Sequence, residues 1–232
     1  PLNIYSSELY GYDNSLVIAV GANADYNEIA FDNFETDNNI VNGKHQLSGH
    51  FTGEVDFVNW APHSGKYGMI VGQGQSMTIS TSNMRFKKDK KYLLSFWLLA
   101  KGASDLSYTI SYQGNQLSSD NYSFSTDKTS VEGFVKVDLI FENTIDMNDV
   151  NINFGAGNNG NFLIDDMRIQ PSNSSMKTYV YSPETLKLIA ELDNLNYSTF
   201  YNYDEEGKLI QVKKETNKGV FTIKSSRDNI AH

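Results

Sequence analysis

The strongest constraint on this chain is the alternation of apolar and polar residues with a period of two, because that period is typical of half-buried β-strands. It is clearest in residues 106–113 (LSYTISYQ), 134–142 (FVKVDLIFE) and 150–154 (VNINF). Residues 91–101 (KYLLSFWLLAK) are apolar on both faces, which is typical of a central strand covered on both sides. Such strands, separated by Gly, Asn and Pro turns and with no long helical period, predict an antiparallel β-sandwich.

Composition excludes several classes of function. The chain has no cysteine, which rules out disulfide frameworks, thiolate zinc sites and cysteine nucleophiles. It carries 28 acidic against 19 basic residues, a net charge of −9, which argues against nucleic acid or an anionic membrane surface as a partner. No apolar run approaches the ~18 residues of a membrane span, so we expect no membrane insertion. With 39% hydrophobic residues, the chain is expected to fold.

The chain divides into three parts by composition. Residues 1–24 contain the apolar run LVIAV at 16–20 and predict an N-terminal extension or an edge strand. Residues 25–171 carry the strand pattern of the sandwich. Residues 172–232 are tyrosine-rich and follow a polar linker (PSNSS, 171–175). Because the first residues, PLN, show neither an initiator Met nor a signal peptide, we expect a processed protein or a piece of a larger chain with further domains.

The last part contains an internal repeat. The motif Tyr-x-Tyr occurs at 179–181 and again 22 residues later at 201–203. Each copy is followed by an acidic turn and then by Lys-Leu-Ile, at 187–189 and 208–210. Two hairpins of this size cannot bury a core alone, so the repeat predicts an extended tail or a small sheet leaning on the sandwich.

Four segments in order resemble the jelly-roll carbohydrate-binding modules of the galactose-binding-like group: FDNFE at 31–35, HSGKY at 63–67, YLLSFW at 92–97 and FLIDD at 162–166. Residues 201–209 (YNYDEEGKL) resemble the tyrosine-aspartate (YD/RHS-type) repeats of bacterial surface proteins. The first copy departs from that pattern at Ser182 and Thr185. The resemblance implies an all-β fold: an antiparallel jelly-roll β-sandwich followed by a C-terminal β-hairpin repeat tail.

The same resemblance implies a structural calcium ion between the first and last strands. Its ligands would be Glu35, Asp165 or Asp166, and the main chain around Lys66. Calcium takes six to eight oxygen ligands, which carboxylates and loop carbonyls supply. Consecutive strand residues point to opposite faces, so only one of the two aspartates is expected to face the ion. The alternative is that these are ordinary solvated or salt-bridged acids.

For glycan binding, which the resemblance also implies, aromatic rings would stack on sugars while amides bind hydroxyl groups. The candidates are Trp60, Trp97, Tyr108, Tyr112 and Gln113. The competing interpretation is that the aromatic residues belong to the core, as most large aromatics of sandwiches do. A glycan binder should expose two or more aromatics together on a sheet face or loop rim, whereas a structural spacer should bury them.

Motifs of catalysis are absent from the sequence. The histidines lack zincin spacing, and Gly-x-Ser-x-Gly does not occur. Residues 155–160 (GAGNNG) match the dinucleotide pattern but precede a predicted strand instead of a helix. We therefore expect no enzyme activity. The sequence predicts a non-catalytic carbohydrate-binding module of an exported or surface-displayed bacterial protein; the alternative is a structural or adhesion spacer, or a protein-docking module, with no glycan ligand.

Overall fold

The structure is a computed structural model that describes residues 5–35, 40–41, 43–101, 105–123 and 133–225. The strands of the first half are β1 (Ser6–Gly11), β2 (Leu16–Ala22), β3 (Ala30–Asp32), β4 (Ile40–Val41), β5 (Lys44–Gln46), β6 (Phe51–Thr52), β7 (Glu54–Val55), β8 (Phe57–Val58), β9 (Gly68–Val71) and β10 (Ser76–Thr81).

The strands of the second half are β11 (Lys91–Lys101), β12 (Asp105–Tyr112), β13 (Asn115–Ser123), β14 (Phe134–Glu142), β15 (Asn151–Ala156), β16 (Asn161–Pro171), β17 (Ser175–Tyr181), β18 (Leu188–Leu192), β19 (Ser198–Tyr203), β20 (Leu209–Thr216) and β21 (Gly219–Ser225). A single 3-10 turn, Tyr26–Glu28, is the only helical element among the described residues. The prediction of an all-β, antiparallel fold is confirmed. In that part of the chain, no helix is long and apolar enough to cross a membrane.

Two sheets face each other across the main core. One has the order β13-β12-β15-β10-β6, and the other has the order β14-β11-β16-β9-β8, with β3 added beside β16. Their inward side chains form one cluster, in which the rings of Phe96 and Phe154 meet edge to face at 5.5 Å. A three-stranded sheet, β4-β5-β7, lies beside them. This is the β-sandwich that the alternating sequence segments predict.

The strand β11 is covered on both sides, as its sequence indicates. Leu94, Phe96 and Leu98 are fully buried in the core between the two sheets. Trp97 and Leu99 point the other way, into a second apolar cluster that includes Tyr197 and Val220 from the C-terminal strands. The outer face of the six-stranded half is therefore an internal surface of the protein.

The C-terminal strands form a seven-stranded sheet of consecutive hairpins, in the order β1-β2-β17-β18-β19-β20-β21. The N-terminal hairpin joins this sheet because β2 pairs with β17. A separate apolar cluster lies beneath it and includes Ile18, Phe31 and Val180. In the second repeat the turn is closed by a hydrogen bond from Gly207 N to Asp204 O, and Gly207 adopts φ +81, a conformation that glycine tolerates best.

Candidate functional site

The outward face of the five-stranded sheet carries rows of small uncharged polar residues. Strand pairing aligns residues of β10, β15, β12 and β13 across the sheet. The three rows are Ser76–Gly155–Ser107–Asn121, Thr78–Asn153–Thr109–Ser119 and Ser80–Asn151–Ser111–Gln116. Neighbouring residues in a row are about 4.8 Å apart, and successive rows are about 7 Å apart. The face therefore presents a two-dimensional array of hydroxyl and amide groups.

Hydrogen bonds between strands fix part of this array, which we call the polar face. Ser80 Oγ donates to Asn151 Oδ1 at 2.6 Å, and Asn153 Nδ2 donates to Thr78 Oγ1 at 2.8 Å. Among the described residues, none of the three rows contains an aromatic or a charged side chain. A ligand on the three rows would therefore be held by hydrogen bonds to neutral groups, with the carboxylate of Asp105 beside the first row.

A groove of about 410 Å³ opens at the first row. Its lining includes Ser76, Asp105, Ser107, Asn121 and Gly155. Gly155 leaves the space in the middle of the row, because a Cβ atom at that position would lie 2.6 Å from Ser107 Oγ. Glycine within a strand often marks a close approach of this kind.

Two of the ligand residues predicted from the sequence are corrected by the structure. Trp97 is only 1% exposed, and Tyr108 is only 5% exposed. Trp97 stacks on the His63 ring at 4.1 Å, and its indole Nε1 donates to Asn196 O at 2.7 Å. Both residues point away from solvent because each lies on a covered face of its strand. Neither ring can therefore stack on a sugar.

The remaining predicted ligand residues do not form one surface. Tyr112 is half-buried and packs against the main core, and Gln113 is exposed at the β12–β13 turn, with its Nε2 donating to the Tyr112 hydroxyl at 3.1 Å. Trp60 is 49% exposed in the loop after β8. The flanking residues Val58 and Ala61 pack on the Trp97 cluster, so this loop lies on the opposite side of the sandwich from the polar face.

The residues predicted to hold calcium come together in a buried cluster. Glu35, Asp165 and Asp166 are all at most 1% exposed. Glu35 Oε1 accepts from Lys66 N at 2.6 Å and also from Tyr67 N. Lys66 therefore contributes its main chain here, while its side chain points outward to Glu184. These residues are neighbours in the fold, and calcium binding by them stays a prediction.

The two aspartates differ from the sequence-based expectation, because both contact the same short loop. Asp165 Oδ2 accepts from His63 N and Ser64 N, while Asp166 accepts from the His63 ring and from Ser64 Oγ. The cause is a β-bulge in β16 opposite β11, where Asp166 takes φ +47. A bulge inserts an extra residue and so interrupts the alternation of side chains.

Burial shifts the protonation of these acids. It raises the pKa of Glu35 to about 8, against the opposing effect of hydrogen bonds from the Tyr67 and Lys66 amides. Burial also raises the pKa of Asp165 well above its ordinary value, and the neighbouring charges of Asp166 and Glu35 raise it further. A buried cation would relieve this repulsion between carboxylates.

The fit of these residues to a calcium ion is partial. Glu35 Oε2 is buried without a hydrogen-bond partner. The main chain at Gly65 passes so close to Glu35 that a Cβ atom there would lie 2.5 Å from Glu35 Oε1. However, no three His, Cys, Asp or Glu side chains in the described ranges are arranged to hold a metal by themselves. Glu35 and the aspartates fit calcium in chemistry, with main-chain carbonyls needed to complete its six to eight oxygens.

A buried polar joint connects this cluster to the C-terminal sheet. The ring of His63 lies 2.7 Å from Asp166 Oδ2 and 2.9 Å from Glu215 Oε1. Burial lowers the pKa of His63, but hydrogen bonds to Asp166 and Glu215 outweigh that effect and raise it to about 9. At neutral pH, the ring is therefore an imidazolium between two carboxylates, one from each half of the molecule.

The sandwich also binds a turn of the C-terminal sheet, residues 193–196, through hydrogen bonds. Each of its four consecutive carbonyls accepts a hydrogen bond from a sandwich side chain: Arg168 to Asp193 O and Asn194 O, Lys136 to Leu195 O, and Trp97 to Asn196 O. Arg168 is completely buried. The roles of Arg168, Asn196 and Glu215 could not be predicted from the sequence, because partners this far apart in the chain leave no local pattern.

The chain is an all-β protein, and its antiparallel sandwich is similar to those of several carbohydrate-binding modules. Its fold resembles the CBM22-1 xylan-binding domain of Xyn10C from Paenibacillus barcinonensis, with 13% sequence identity and a TM-score of 0.40. That match covers 61% of this chain and 92% of the other.

Two further structures are similar to this chain. One is TmCBM61 in complex with beta-1,4-galactotriose, with 14% identity and a TM-score of 0.35, covering 64% of this chain and 92% of that one. The other is the Clostridium thermocellum xylanase 10B CBM22-1-GH10 structure with xylohexaose, with 14% identity and a TM-score of 0.40, covering 62% and 28%. No protein-family profile matches the sequence, and no curated protein matches it.

Proposed function

We propose that this protein is a non-catalytic module that binds a neutral glycan across the polar face. The observation that carries the proposal is the array itself: three rows of hydroxyl and amide groups, exposed or half-buried, with a groove along the first row. The other broad face of the sandwich is covered by the C-terminal sheet. A sugar polymer presents regularly spaced hydroxyl groups, which are the natural partners of Ser, Thr and Asn side chains.

The mode of binding follows from the side chains present. A hydrogen bond between neutral groups of protein and ligand replaces hydrogen bonds to water. Each one therefore contributes only about 0.5–1.5 kcal/mol to the free energy of binding. Without a stacking aromatic, affinity must come from many such bonds along an extended chain. We therefore infer an extended polysaccharide as the ligand.

Gly155→Val tests this site by filling the groove. The added side chain would project into the first row, where even a Cβ atom approaches Ser107 Oγ. We expect at least a tenfold loss of retention on the glycan that binds the parent, measured by affinity electrophoresis over a panel of neutral polysaccharides. Valine suits a strand, so the fold should persist.

Thr199→Val is the matched control, because it places the same side chain on a strand of the C-terminal sheet, away from the polar face. Binding of this variant should equal that of the parent. If Gly155→Val binds as well as Thr199→Val, the polar face is not the site. If the parent binds no polysaccharide in the panel, the proposed function fails.

We propose further that a calcium ion binds at Glu35 and the aspartates of β16 and stabilises the sandwich. A ligand present at 100 times its Kd stabilises the folded state by ~2.7 kcal/mol. We expect the melting temperature to rise by several degrees in calcium relative to a chelator, and Glu35→Gln to abolish this difference. Glu184→Gln, at an exposed acid paired with Lys66, is the control that should retain it. Equal melting temperatures with calcium and chelator would contradict the proposal.

The second candidate function is that of a structural spacer without a glycan ligand. It is favoured by two observations. Trp97 and Tyr108 are buried, as expected of a spacer, and hydrogen bonds from the sandwich to residues 193–196 fix it to the hairpin sheet, as in a rigid connector. In that case the tyrosine-rich hairpins would belong to a YD-type repeat array of an exported or surface-displayed bacterial protein, with the sandwich fixing its orientation or docking another chain. This candidate would be supported if the parent binds no glycan and the full-length Gly155→Val variant assembles as well as the parent.

A further inference from the structure

The seven-stranded sheet ends at β1 on one side and at β21 on the other. Within the described ranges, no strand pairs with the outer side of either one. β1 spans 6 residues and β21 spans 7, and neither contains proline. Each therefore presents main-chain N–H and C=O groups with which a further strand can pair, as an exposed sheet edge does.

Large apolar side chains are exposed at both edges. Phe221 and Ile223 of β21 are each at least half exposed, and Tyr5 and Tyr10 at β1 are about half exposed. Leu9, which points to the other face of β1, is instead buried in the apolar cluster beneath the sheet. The exposed side chains therefore lie where a strand added to either edge would cover them.

The two edges differ in charge. The β1–β2 hairpin carries Glu8 and Asp13, and no lysine or arginine precedes Lys44 in the sequence. Residues 208–225, which include β20 and β21, contain five lysines and a single acidic residue, the buried Glu215. One end of the sheet is therefore acidic and the other is basic, although the protein as a whole has a net charge of −9.

The charged side chains lie beside the exposed apolar ones. Lys214 pairs with Phe221 across the β20–β21 hairpin, and Lys224 lies near the end of β21. Both lysines are exposed, and neither forms an ion pair with another residue that the structure describes. On β1, the exposed Glu8 accepts a hydrogen bond from the Tyr10 hydroxyl at 2.7 Å. Each edge thus combines aromatic surface with charge of one sign.

This distribution of charge selects between the ways in which two copies of the chain can meet. Pairing β21 with β21, or β1 with β1, would bring like charges together, which is destabilising. Lysine on an edge strand is a common means of preventing such self-pairing. Pairing β21 with β1 of a second copy instead brings the lysines near Glu8 and the apolar side chains near the tyrosines.

The topology of the sheet is compatible with this contact. Every pair of neighbouring strands in the sheet is antiparallel, so the first and seventh strands run in the same direction. A second copy that continues the sheet with its sandwich on the same side places its β1 against β21 as a parallel pair. The two surfaces in contact are different, so each added copy presents the same edge to the next.

We propose that copies of this protein associate head to tail, with β21 of one copy pairing with β1 of the next, so that the hairpin sheet continues from copy to copy. Each copy adds seven strands, about 34 Å at normal strand spacing. The contact uses no residue of the polar face and is therefore independent of the proposed glycan function. If glycan binding is also present, such a row of modules gains avidity for a long polysaccharide.

Reversal of charge at each edge tests the proposal. Sedimentation velocity of the parent should show a mean mass that rises with concentration up to about 1 mM, because one strand pair gives a weak contact. Glu8→Lys and Lys224→Glu should each weaken association by about threefold or more, since an exposed ion pair is replaced by a repulsion. An equal mixture of the two variants should recover it, because the edges that meet again have opposite charge.

The control is Lys88→Glu, which reverses an exposed lysine between β10 and β11 and should associate as the parent does. Equal weakening by Lys88→Glu and Lys224→Glu would overturn the proposal, because it would show that only net charge matters. A parent that stays monomeric at every concentration would overturn it too, since a second copy would then not cover these edges. Association that is unchanged in Glu8→Lys would do the same.

Crosslinking identifies the edges that meet, because the chain has no cysteine of its own. Ser6→Cys on β1 and Thr222→Cys on β21 place single exposed thiols at the two edges. A short bismaleimide should link the two variants in a mixture and give much less dimer with either variant alone. Dimers of Thr222→Cys alone at the yield of the mixture would indicate a symmetric contact and contradict the head-to-tail arrangement. Gly155→Val should associate as the parent does, whatever the outcome of the glycan tests.

Discussion

Trp97→Ala is expected to lower the free energy of unfolding by about 3–5 kcal/mol, whereas Trp60→Ala should change it by less than about 1 kcal/mol. Removing a buried indole leaves a cavity beneath the His63 ring and leaves Asn196 O without its donor. The side chain of Trp60 is 49% exposed, so its removal costs little packing. Urea unfolding followed by circular dichroism measures both changes.

Trp97→Phe separates packing from hydrogen bonding at this position. Phenylalanine keeps most of the apolar volume but cannot donate to Asn196 O, so we expect a smaller loss, of about 1–3 kcal/mol. Glycan binding should be unaffected in Trp97→Phe, because the polar face lies on the other sheet. Equal destabilisation by Trp97→Ala and Trp60→Ala would contradict the assignment of Trp97 to the joint.

The fold was predictable from the sequence to the extent that local alternation determines it. The period-two segments at 134–142 and 150–154 became β14 and β15, and the two-sided apolar strand became β11, buried on both faces. What covers its outer face was not predictable. That surface is the C-terminal sheet, and its pairing with the N-terminal hairpin joins residues more than 150 positions apart.

The candidate sites were predictable only in part, for two physical reasons. The acidic residues could be placed together because they belong to recognisable segments. The bulge in β16 could not be predicted, because it turns both aspartates toward the loop at His63 and Ser64 and so breaks the strand alternation. The polar face was missed because Ser, Thr and Asn at outward strand positions are indistinguishable from ordinary solvated residues. Only the register across four strands shows that they form rows.

The joint at His63 gives the second large effect: Glu215→Ala is expected to lower the free energy of unfolding by about 3–5 kcal/mol. Glu215 accepts from the His63 ring through Oε1 and from Ser198 N through Oε2, so the change leaves two buried donors without this partner. Glu206→Ala, at an exposed acid of the neighbouring repeat turn, should change stability by no more than about 0.5 kcal/mol. Urea unfolding measures both.

A double-mutant cycle distinguishes a specific joint from general loss of packing. In His63→Phe/Glu215→Leu the charged ring and its carboxylate are removed together, so the double variant should lose less stability than the sum of the single variants, by about 0.5–3 kcal/mol. Additive losses would show that His63 and Glu215 do not interact. Because the ring joins Asp166 of β16 to Glu215 of β20, amide exchange should accelerate in β19 and β20 of the single variants before it does in β12 and β15. Retention of glycan by these variants would then show that the polar face functions independently of the joint.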